Sequence, residues 1–480
     1  MNRSKYLLKN TIIFAIGSFG TKLVSLFLVP LYTSYLKVSD YGILDIINTL
    51  SVLVAPILMM NIHEAVLRFL LDKDADKNKI ISTSNAFLIQ NILISFLSYF
   101  VFVNLPDYRA YALQTSLLFF FTGLYPVITS YARGNEQVLK YSIISIVQTL
   151  LSATFAILFL IGFKQGLQGY LLGVNLAYAI SILFAFFFTG MFKHVFPFKI
   201  DSKIFLQMLK YSAFLIPNSI LWWVINSSDK LMIKYYLGAE ASGLFAAAYK
   251  IPSILIVFVT IFVQAWQLVA IKKSISQSDD ERYANKLFGC LISLLFFVSS
   301  CLLLFIKPIM SVFVAKDYYE SWTYVPLLFI GFILLSLGNF VSITLAKHKN
   351  TKDILISSVL GAVINVALNF AFIKRFGING CSFAACVSYF IILVYKVFAS
   401  RKYLKYKIFN FKNAILLSAL CLQVAFVYKQ DAILMYAGMS IMFFIITLFS
   451  SQSFRIMLVT FLEIVRSSFG KKRNKWNLFN

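Results

Sequence analysis

The chain has 480 residues, of which 60% are hydrophobic and 13% charged, and its formal net charge at pH 7 is +25. Water-soluble domains carry about a quarter charged residues, so this chain has too little polar surface to cover a soluble fold of its size. The composition excludes a water-soluble fold and indicates a polytopic helical membrane protein.

Apolar runs long enough to cross a membrane, roughly 20 residues each, recur along the whole chain. The first is too long for the apolar core of a cleavable signal peptide, so we interpret it as a span. The seventh is interrupted by proline, asparagine and aspartate, and residues 231–237 extend it to the far face. Fourteen spans are predicted, at residues 11–36, 42–62, 80–104, 110–132, 141–162, 167–191, 209–228, 241–271, 285–307, 323–346, 354–373, 379–399, 411–428 and 432–450.

The distribution of lysine and arginine orients these spans. Connections on the side that holds both termini carry far more basic residues than those on the opposite side. The positive-inside rule then predicts a multi-pass plasma-membrane protein with both termini in the cytoplasm. The basic tail at residues 470–480 (GKKRNKWNLFN) suits contact with anionic membrane lipids, and no nucleic-acid partner is needed to explain the net charge.

A weak internal repeat divides the chain. The pattern at residues 35–42 recurs at 236–243, 201 residues later, and the pattern at 166–178 recurs at 377–389. Both matches step over six spans, so the two halves have the same orientation, as in transporters with parallel repeats. The predicted fold is all-α, with a six-helix lobe at 1–200, a second at 201–405, spans 13 and 14 at 406–452, and an interfacial helix with the basic tail at 453–480.

Two lysines lie deep inside predicted spans, nine or more residues from either end. A charge at bilayer depth costs about 2.5–3.5 kcal/mol on insertion scales, so it needs a reason to be there. Lys22 lies near the middle of span 1, too deep to reach either surface, and Lys250 lies within span 8. One lysine in each lobe predicts a cleft that binds an anionic substrate. The alternative is a structural ion pair, of Lys22 with Asp45 or of Lys250 with Asp229.

Other polar residues in the spans are weaker candidates. Asp229 and Lys230 bind substrate in the cleft or, near the outer end of span 7, reach the outer surface. Gln264 and Trp266 in span 8 combine an amide with an indole, which suits a sugar-binding wall. Most other buried amides are explained by hydrogen bonds between helices. The candidate carboxylates for coupling to a proton or sodium gradient are Asp45, Asp229 and Glu64.

Enzymatic and metal chemistry is not expected. The five cysteines lie in apolar runs and the three histidines are distant from them, so neither a disulfide framework nor a metal site is predicted. No P-loop is present, and no cofactor is expected. The Asp-x-Asp spacing at residues 72–76, used by some glycosyltransferases, lies in a short basic loop and indicates a solvated run of charges.

Several segments together resemble one family. They are GSFGTK at residues 17–22, PLYTSYL at 30–36, DYG at 40–42, most of the stretch 217–251, and FGING at 376–380. The chain resembles bacterial oligosaccharide flippases of the Wzx type, in the polysaccharide biosynthesis and export family of the MATE-like transporter superfamily. The resemblance extends over most of the chain and matches its helix count.

The resemblance implies two six-helix lobes with two extra helices, working by alternating access. It also implies that an undecaprenyl-diphosphate-linked oligosaccharide is moved to the outer leaflet, with polysaccharide polymerase and export machinery as partners. In the related lipid II flippases, basic residues on helices 1 and 8 meet the diphosphate, and Lys22 and Lys250 occupy comparable places. Lysine instead of arginine favours point-charge contact over a bidentate grip.

Two alternative functions are weighed against this one. A MATE-type multidrug exporter shares the architecture but exports cations and favours acidic cleft residues, whereas the deepest charges here are basic. A membrane-embedded polysaccharide polymerase or ligase carries its catalytic residues on a long external loop, whereas the external connections here are short. Both features favour the flippase.

Overall fold

The computed structural model describes residues 20–22, 24–72, 76–194, 200–271, 277–348, 350–408 and 410–469. Within these ranges the chain is α-helical, with short 3-10 and π segments and no strand. The α-helices in the first half are Val29–Tyr35, Val38–Leu58, Ile62–Leu70, Lys77–Ser84, Ala86–Val103, Ala112–Gly134, Val138–Ile157, Gly166–Thr189, Ser202–Ala213 and Ile216–Ile271. Those in the second half are Gln277–Leu304, Ile306–Phe313, Val325–Lys347, Thr351–Ser400, Phe411–Val427 and Ala432–Phe469.

The span count agrees with the sequence. In the described ranges, 11 helices are long and apolar enough to cross a membrane, and Phe411–Val427 is a shorter apolar helix at span 13. The 50-residue helix Thr351–Ser400 is broken at Gly377 and so supplies spans 11 and 12. Only the end of span 1 falls in the described ranges. The protein is therefore an all-α, multi-pass membrane protein with about 14 spans, as predicted.

Span 7 is longer than its core prediction. The helix that begins at Ile216 continues through the polar residues up to Gly238, where φ is +90° and the helix breaks before span 8. Pro217 lies in the first turn, where the missing backbone N–H costs nothing because it would have no intrahelical partner. The extension through residues 231–237 is confirmed.

The last helix runs without interruption from Ala432 to Phe469, over 38 residues. At 1.5 Å per residue it is about 57 Å long, longer than the hydrocarbon core of about 30 Å. Residues 454–465 thus continue span 14 rather than starting a new helix. Their placement at the membrane surface stays a prediction, and the basic tail at 470–480 lies outside the described residues.

The repeat at 35–42 and 236–243 has a structural counterpart. Gly42 and Gly243 lie where the beginnings of spans 2 and 8 cross. A Cβ atom on Gly42 would lie 2.0 Å from the carbonyl oxygen of Ala239, and one on Gly243 would lie 2.0 Å from that of Val38. Val38 and Ala239 are themselves 201 residues apart, so the crossing is symmetric, as expected of two parallel repeats.

The second repeat match concerns backbone conformation. Gly166 and Gly377, at equivalent positions of the pattern, both have positive φ, +57° and +58° respectively. Glycine adopts this region without the steric penalty of a Cβ atom. The equivalent helices of the two halves therefore begin at a glycine with the same positive φ.

Contacts divide the chain into two compact units. The first consists of Met1–Ile251, Met310–Tyr324 and Ser358–Ser388, and the second of Pro252–Ile309, Val325–Ser357 and Tyr389–Asn480. The first unit includes residues from both predicted lobes, because the beginnings of spans 2 and 8 pack at the glycine crossing. The lobe boundaries themselves stay a prediction.

The second unit has an apolar core with a few polar links. Phe288, Phe340 and Tyr406 pack their rings together with centroids 5.0–6.3 Å apart. Lys412 in span 13 donates hydrogen bonds to the hydroxyls of Ser293 and Ser453 at 3.0 and 2.9 Å. These contacts tie the two helices after the repeat to span 9.

Candidate functional site

The first unit contains a cavity of about 630 Å³, within the range of ligand-binding cavities, about 300–1,000 Å³. Its wall combines residues of spans 1, 2, 4, 5 and 6 with Ser219 of span 7 and Lys250 of span 8. The polar part consists of hydroxyls, amides and phenols, and Lys250 is the one lysine among the lining residues. No carboxylate belongs to the described wall. The described wall is thus mixed apolar and polar, and its charged side chain is basic rather than acidic.

The two lysines singled out from the sequence are placed differently. Lys250 is half-buried and lines the cavity. Lys22 is exposed and lies about one helical turn before Ser25, which lines the cavity. Within the described ranges no ion pair or hydrogen bond involves the Lys22 side chain. The structure therefore places one lysine in the cavity wall and the other next to it.

Asp45 forms its ion pair with Lys230. The Nζ atom of Lys230 lies 2.9 Å from the Asp45 carboxylate, and the side chains are 14% and 12% exposed. Lys230 also lies over the ring of Tyr249, 5.0 Å from its centroid. Asp45 and Lys230 are near enough to Lys250 to act on its charge. Of the pairings considered from the sequence, Lys22 with Asp45 is thus replaced by Lys230 with Asp45, and Lys230 is not at the surface.

Asp229 lies in a buried polar network. Its side chain accepts a hydrogen bond from the Asn369 amide at 2.5 Å, and the residue is 5% exposed. Asn365 accepts hydrogen bonds from Asn369 at 3.1 Å and from the Ser228 hydroxyl at 3.0 Å. Asp229 therefore does not reach the outer surface, the alternative considered for it. The buried amides Asn365 and Asn369 bond between helices, as expected for most such residues.

Glu64 lies at the start of the helix Ile62–Leu70, directly after a break in span 2. The break is formed by Met60 and Asn61, which have left-handed backbone conformations with φ of +48° and +52°. His63 lines the cavity, and its Nε2 atom lies 3.5 Å from a carboxylate oxygen of Glu64, which is 42% exposed. Glu64 thus borders the cavity without belonging to its wall.

The remaining predictions concern span 8 and the metal question. Gln264 and Trp266 lie in the helix Ile216–Ile271, but their side chains fall outside the described part of the structure. Among the described residues, no group of three or more histidine, cysteine, aspartate or glutamate side chains is placed to hold a metal ion.

Sequence reasoning missed most of the cavity wall. The Gln148 amide does not bond between helices as most buried amides were expected to: its Nε2 atom donates to Ser152 of the same helix at 3.0 Å, and both residues line the cavity. Tyr170, Val174 and Tyr178 also line it, at a spacing of four residues. That spacing places them on one face of span 6. A polar and aromatic stripe on one face of spans 5 and 6 was therefore the available signal.

Comparisons with known proteins agree with this architecture. Residues 7–267 match the model of a polysaccharide biosynthesis protein family. An uncharacterized membrane protein of Methanocaldococcus jannaschii is 23% identical over 384 residues, which cover 75% of this chain and 88% of that protein.

Solved structures share the fold. The lipid II flippase MurJ, in an inward closed conformation, superposes with a TM-score of 0.70 at 17% identity, over 93% of this chain and 100% of MurJ. An inward-facing multidrug resistance MATE family transporter of the MOP superfamily superposes with a TM-score of 0.62 at 14% identity, over 80% of this chain and 94% of that one. At such identities the likeness concerns the fold alone.

Proposed function

We propose that this chain, which belongs to the polysaccharide biosynthesis protein family, moves an undecaprenyl-diphosphate-linked oligosaccharide to the outer leaflet of the plasma membrane by alternating access. Its family and the fold it shares with flippases and transporters support transport of a lipid-linked substrate in general. The observation that carries the specific proposal is a membrane-embedded cavity whose wall holds Lys250 and no described carboxylate.

Electrostatics favours an anionic cargo. A diphosphate that enters a low-dielectric environment loses hydration, and nearby positive charge compensates this cost. Lys250 in the wall and Lys22 beside it supply such charge as point contacts. A MATE-type exporter of cationic drugs would instead gain from carboxylates in the wall. The lining thus supports the flippase over the multidrug exporter, and the short external connections support it over a polymerase or ligase.

The orientation and partners follow from the same proposal. Both termini lie in the cytoplasm, where the basic tail meets anionic lipid. A polysaccharide polymerase and export machinery receive the glycan on the outer side. The protein itself moves the cargo without making or breaking covalent bonds.

Replacing Lys22 or Lys250 by a neutral residue is expected to reduce transport strongly. Charge-assisted hydrogen bonds contribute about 1.5–3 kcal/mol, so Lys22→Gln and Lys250→Gln should each lower flipping by roughly tenfold or more. The measurement is transport of a fluorescent polyprenyl-diphosphate glycan in proteoliposomes, at equal reconstituted protein. Lys412→Gln, which changes a span lysine that bonds to Ser293 and Ser453, is the matched control and should transport normally. Wild-type rates in Lys22→Gln would remove that lysine from the binding site.

Coupling to an ion gradient is assigned to Asp229 first. A carboxylate buried in a polar network binds a proton or a sodium ion without competition from bulk water, and Asp229 is far more buried than Glu64. Asp229→Asn should abolish stimulation of flipping by an imposed gradient, whereas Glu64→Gln retains it. Flipping by the wild type that ignores both proton and sodium gradients would exclude coupling altogether.

A further inference from the structure

We propose that the 630 Å³ cavity of the first unit is a chamber for the neutral sugar rings that follow the diphosphate. This inference rests on the proposed flippase function and adds the chemical class of glycan that the chamber accepts. The wall is built from groups that accept hydrogen bonds and from aromatic rings, and it excludes sugars with a positive charge.

Several serine and threonine hydroxyls of the wall already donate their hydrogens within their own helices. Ser25, Ser51 and Thr149 each donate to a backbone carbonyl four residues earlier, at 3.0, 2.8 and 2.9 Å. A hydroxyl has one donor and two acceptor lone pairs. The oxygen atoms of these residues therefore face the cavity as acceptors, which suits the many O–H donors of a sugar.

The amides add further acceptors. Gln148 donates through Nε2 to Ser152 at 3.0 Å, and Asn61 donates through Nδ2 to Ser219 at 3.2 Å. Each amide then retains its carbonyl oxygen. Asn48 also lines the cavity, is exposed, and forms no hydrogen bond within the described ranges. Asn48 offers both a donor and an acceptor, as an acetamido sugar requires.

Tyrosine rings supply the apolar part of the wall. Tyr32 packs edge-on against Tyr170 with centroids 5.0 Å apart, and Tyr125 packs edge-on against Tyr178 at 5.5 Å. All four line the cavity. An aromatic ring with a polar tip suits a sugar, whose ring has apolar C–H faces and a polar rim.

The charge of the wall determines which sugars the chamber accepts. The described wall has no carboxylate, and Lys250 is its lysine. An ammonium group on a sugar would therefore meet the like charge of Lys250 and no carboxylate within the described wall, which is costly. A hydroxyl or acetamido group carries no such cost, and Lys250 places the diphosphate beside the chamber.

The test measures affinities of the full-length protein in nanodiscs for three probes. They are polyprenyl diphosphate without sugar, the same lipid carrying N,N′-diacetylchitobiose, and its de-N-acetylated, cationic form. The acetylated probe should bind about tenfold more tightly than the sugar-free lipid, because several hydrogen bonds of about 1 kcal/mol are added. The cationic probe should bind no more tightly than the sugar-free lipid.

Variants separate the chamber from the diphosphate site. Asn48→Leu and Gln148→Leu should remove the advantage of the acetylated probe and leave binding of the sugar-free lipid unchanged, which also reports correct folding. Gln90→Leu is the matched control, because this amide bonds to the carbonyl of Ile57 outside the cavity wall, and it should keep the advantage. Equal wild-type affinity for sugar-free and acetylated lipids overturns the chamber but not the flippase. Failure of the wild type to bind either lipid overturns the proposed function itself.

Discussion

Gly42→Ala and Gly243→Ala are each expected to reduce export by about tenfold or more, whereas Gly289→Ala keeps wild-type activity. A methyl group at either of the first two positions meets a backbone carbonyl at 2.0 Å, and backbone cannot give way cheaply. Overpacking of this kind costs about 1–3 kcal/mol. The population of molecules in which spans 2 and 8 touch at the two glycines should therefore fall by up to about two orders of magnitude. Gly289 has no atom within 4 Å of the added methyl, so its variant is the matched control.

Separation of spans 2 and 8 at the glycine crossing can be measured by cross-linking. The carbonyls of Val38 and Ala239 lie at the crossing, each against the glycine of the other helix, so a Val38→Cys/Ala239→Cys pair reports the contact by oxidative cross-linking once the five native cysteines are replaced. Cross-linking should fall in Gly42→Ala and Gly243→Ala. The Gly42→Ala/Gly243→Ala double variant should lose less free energy of packing than the two single variants lose together, because helices already separated by one methyl group accommodate the second. Unchanged cross-linking and export in both single variants would show that the helices do not pack this closely.

Breaking the Asp45–Lys230 ion pair from one side should destabilise the protein strongly. Both side chains are largely buried, and removing one partner leaves the other charge unpaired, at a cost of about 3–5 kcal/mol. Asp45→Leu and Lys230→Met should therefore lower the unfolding temperature clearly, whereas the double variant recovers most of the stability. Thermal unfolding in detergent, followed by intrinsic fluorescence, is measured for the wild type, the two single variants and the double variant, which together form a double-mutant cycle.

Export in the same four proteins separates a structural pair from a functional one. A stable double variant that exports normally assigns the pair to stability. A stable double variant that does not export indicates that Asp45 or Lys230 takes part in coupling or binding. Full stability of the two single variants would contradict the ion pair itself. Arg68→Met, which removes an exposed pair with Asp72 whose side chains are 53% and 57% exposed, is the control, since such pairs contribute about 1 kcal/mol or less.

The spans and the repeat were readable from the sequence because each depends on local signals. Hydropathy reports burial in lipid for every run of about 20 residues, and the patterns at Gly42 and Gly243, or at Gly166 and Gly377, survive as short matches. The contacts that these glycines make became clear only from the three-dimensional structure. No spacing in the chain shows that Gly42 and Gly243 each meet the carbonyl that precedes the other by four residues.

The site was predicted only in part, because partners across helices are not set by sequence distance. Lys22 was the partner considered for Asp45, whereas the tertiary packing pairs Asp45 with Lys230. Lys250 was singled out by its depth and lines the cavity, and its role in binding stays a prediction. The hydroxyls and tyrosines of the wall carry no unusual signal individually, since serine and tyrosine are common in spans. Their convergence from several helices is a property of the fold.

The break in span 2 has a mechanical consequence. Met60 and Asn61 hold left-handed conformations that cost non-glycine residues about 1–2 kcal/mol each. The segment Val38–Leu58 carries Gly42 and Asp45, and the segment Ile62–Leu70 carries Glu64. Between them the helical ladder gives way to turn hydrogen bonds, from the N–H of Asn61 to the carbonyl of Pro56 and from the N–H of Ile62 to the carbonyl of Met59, both at 2.8 Å. Span 2 is thus two helical segments joined by a hydrogen-bonded bend, and straightening it would relieve the two left-handed residues but break those turn hydrogen bonds.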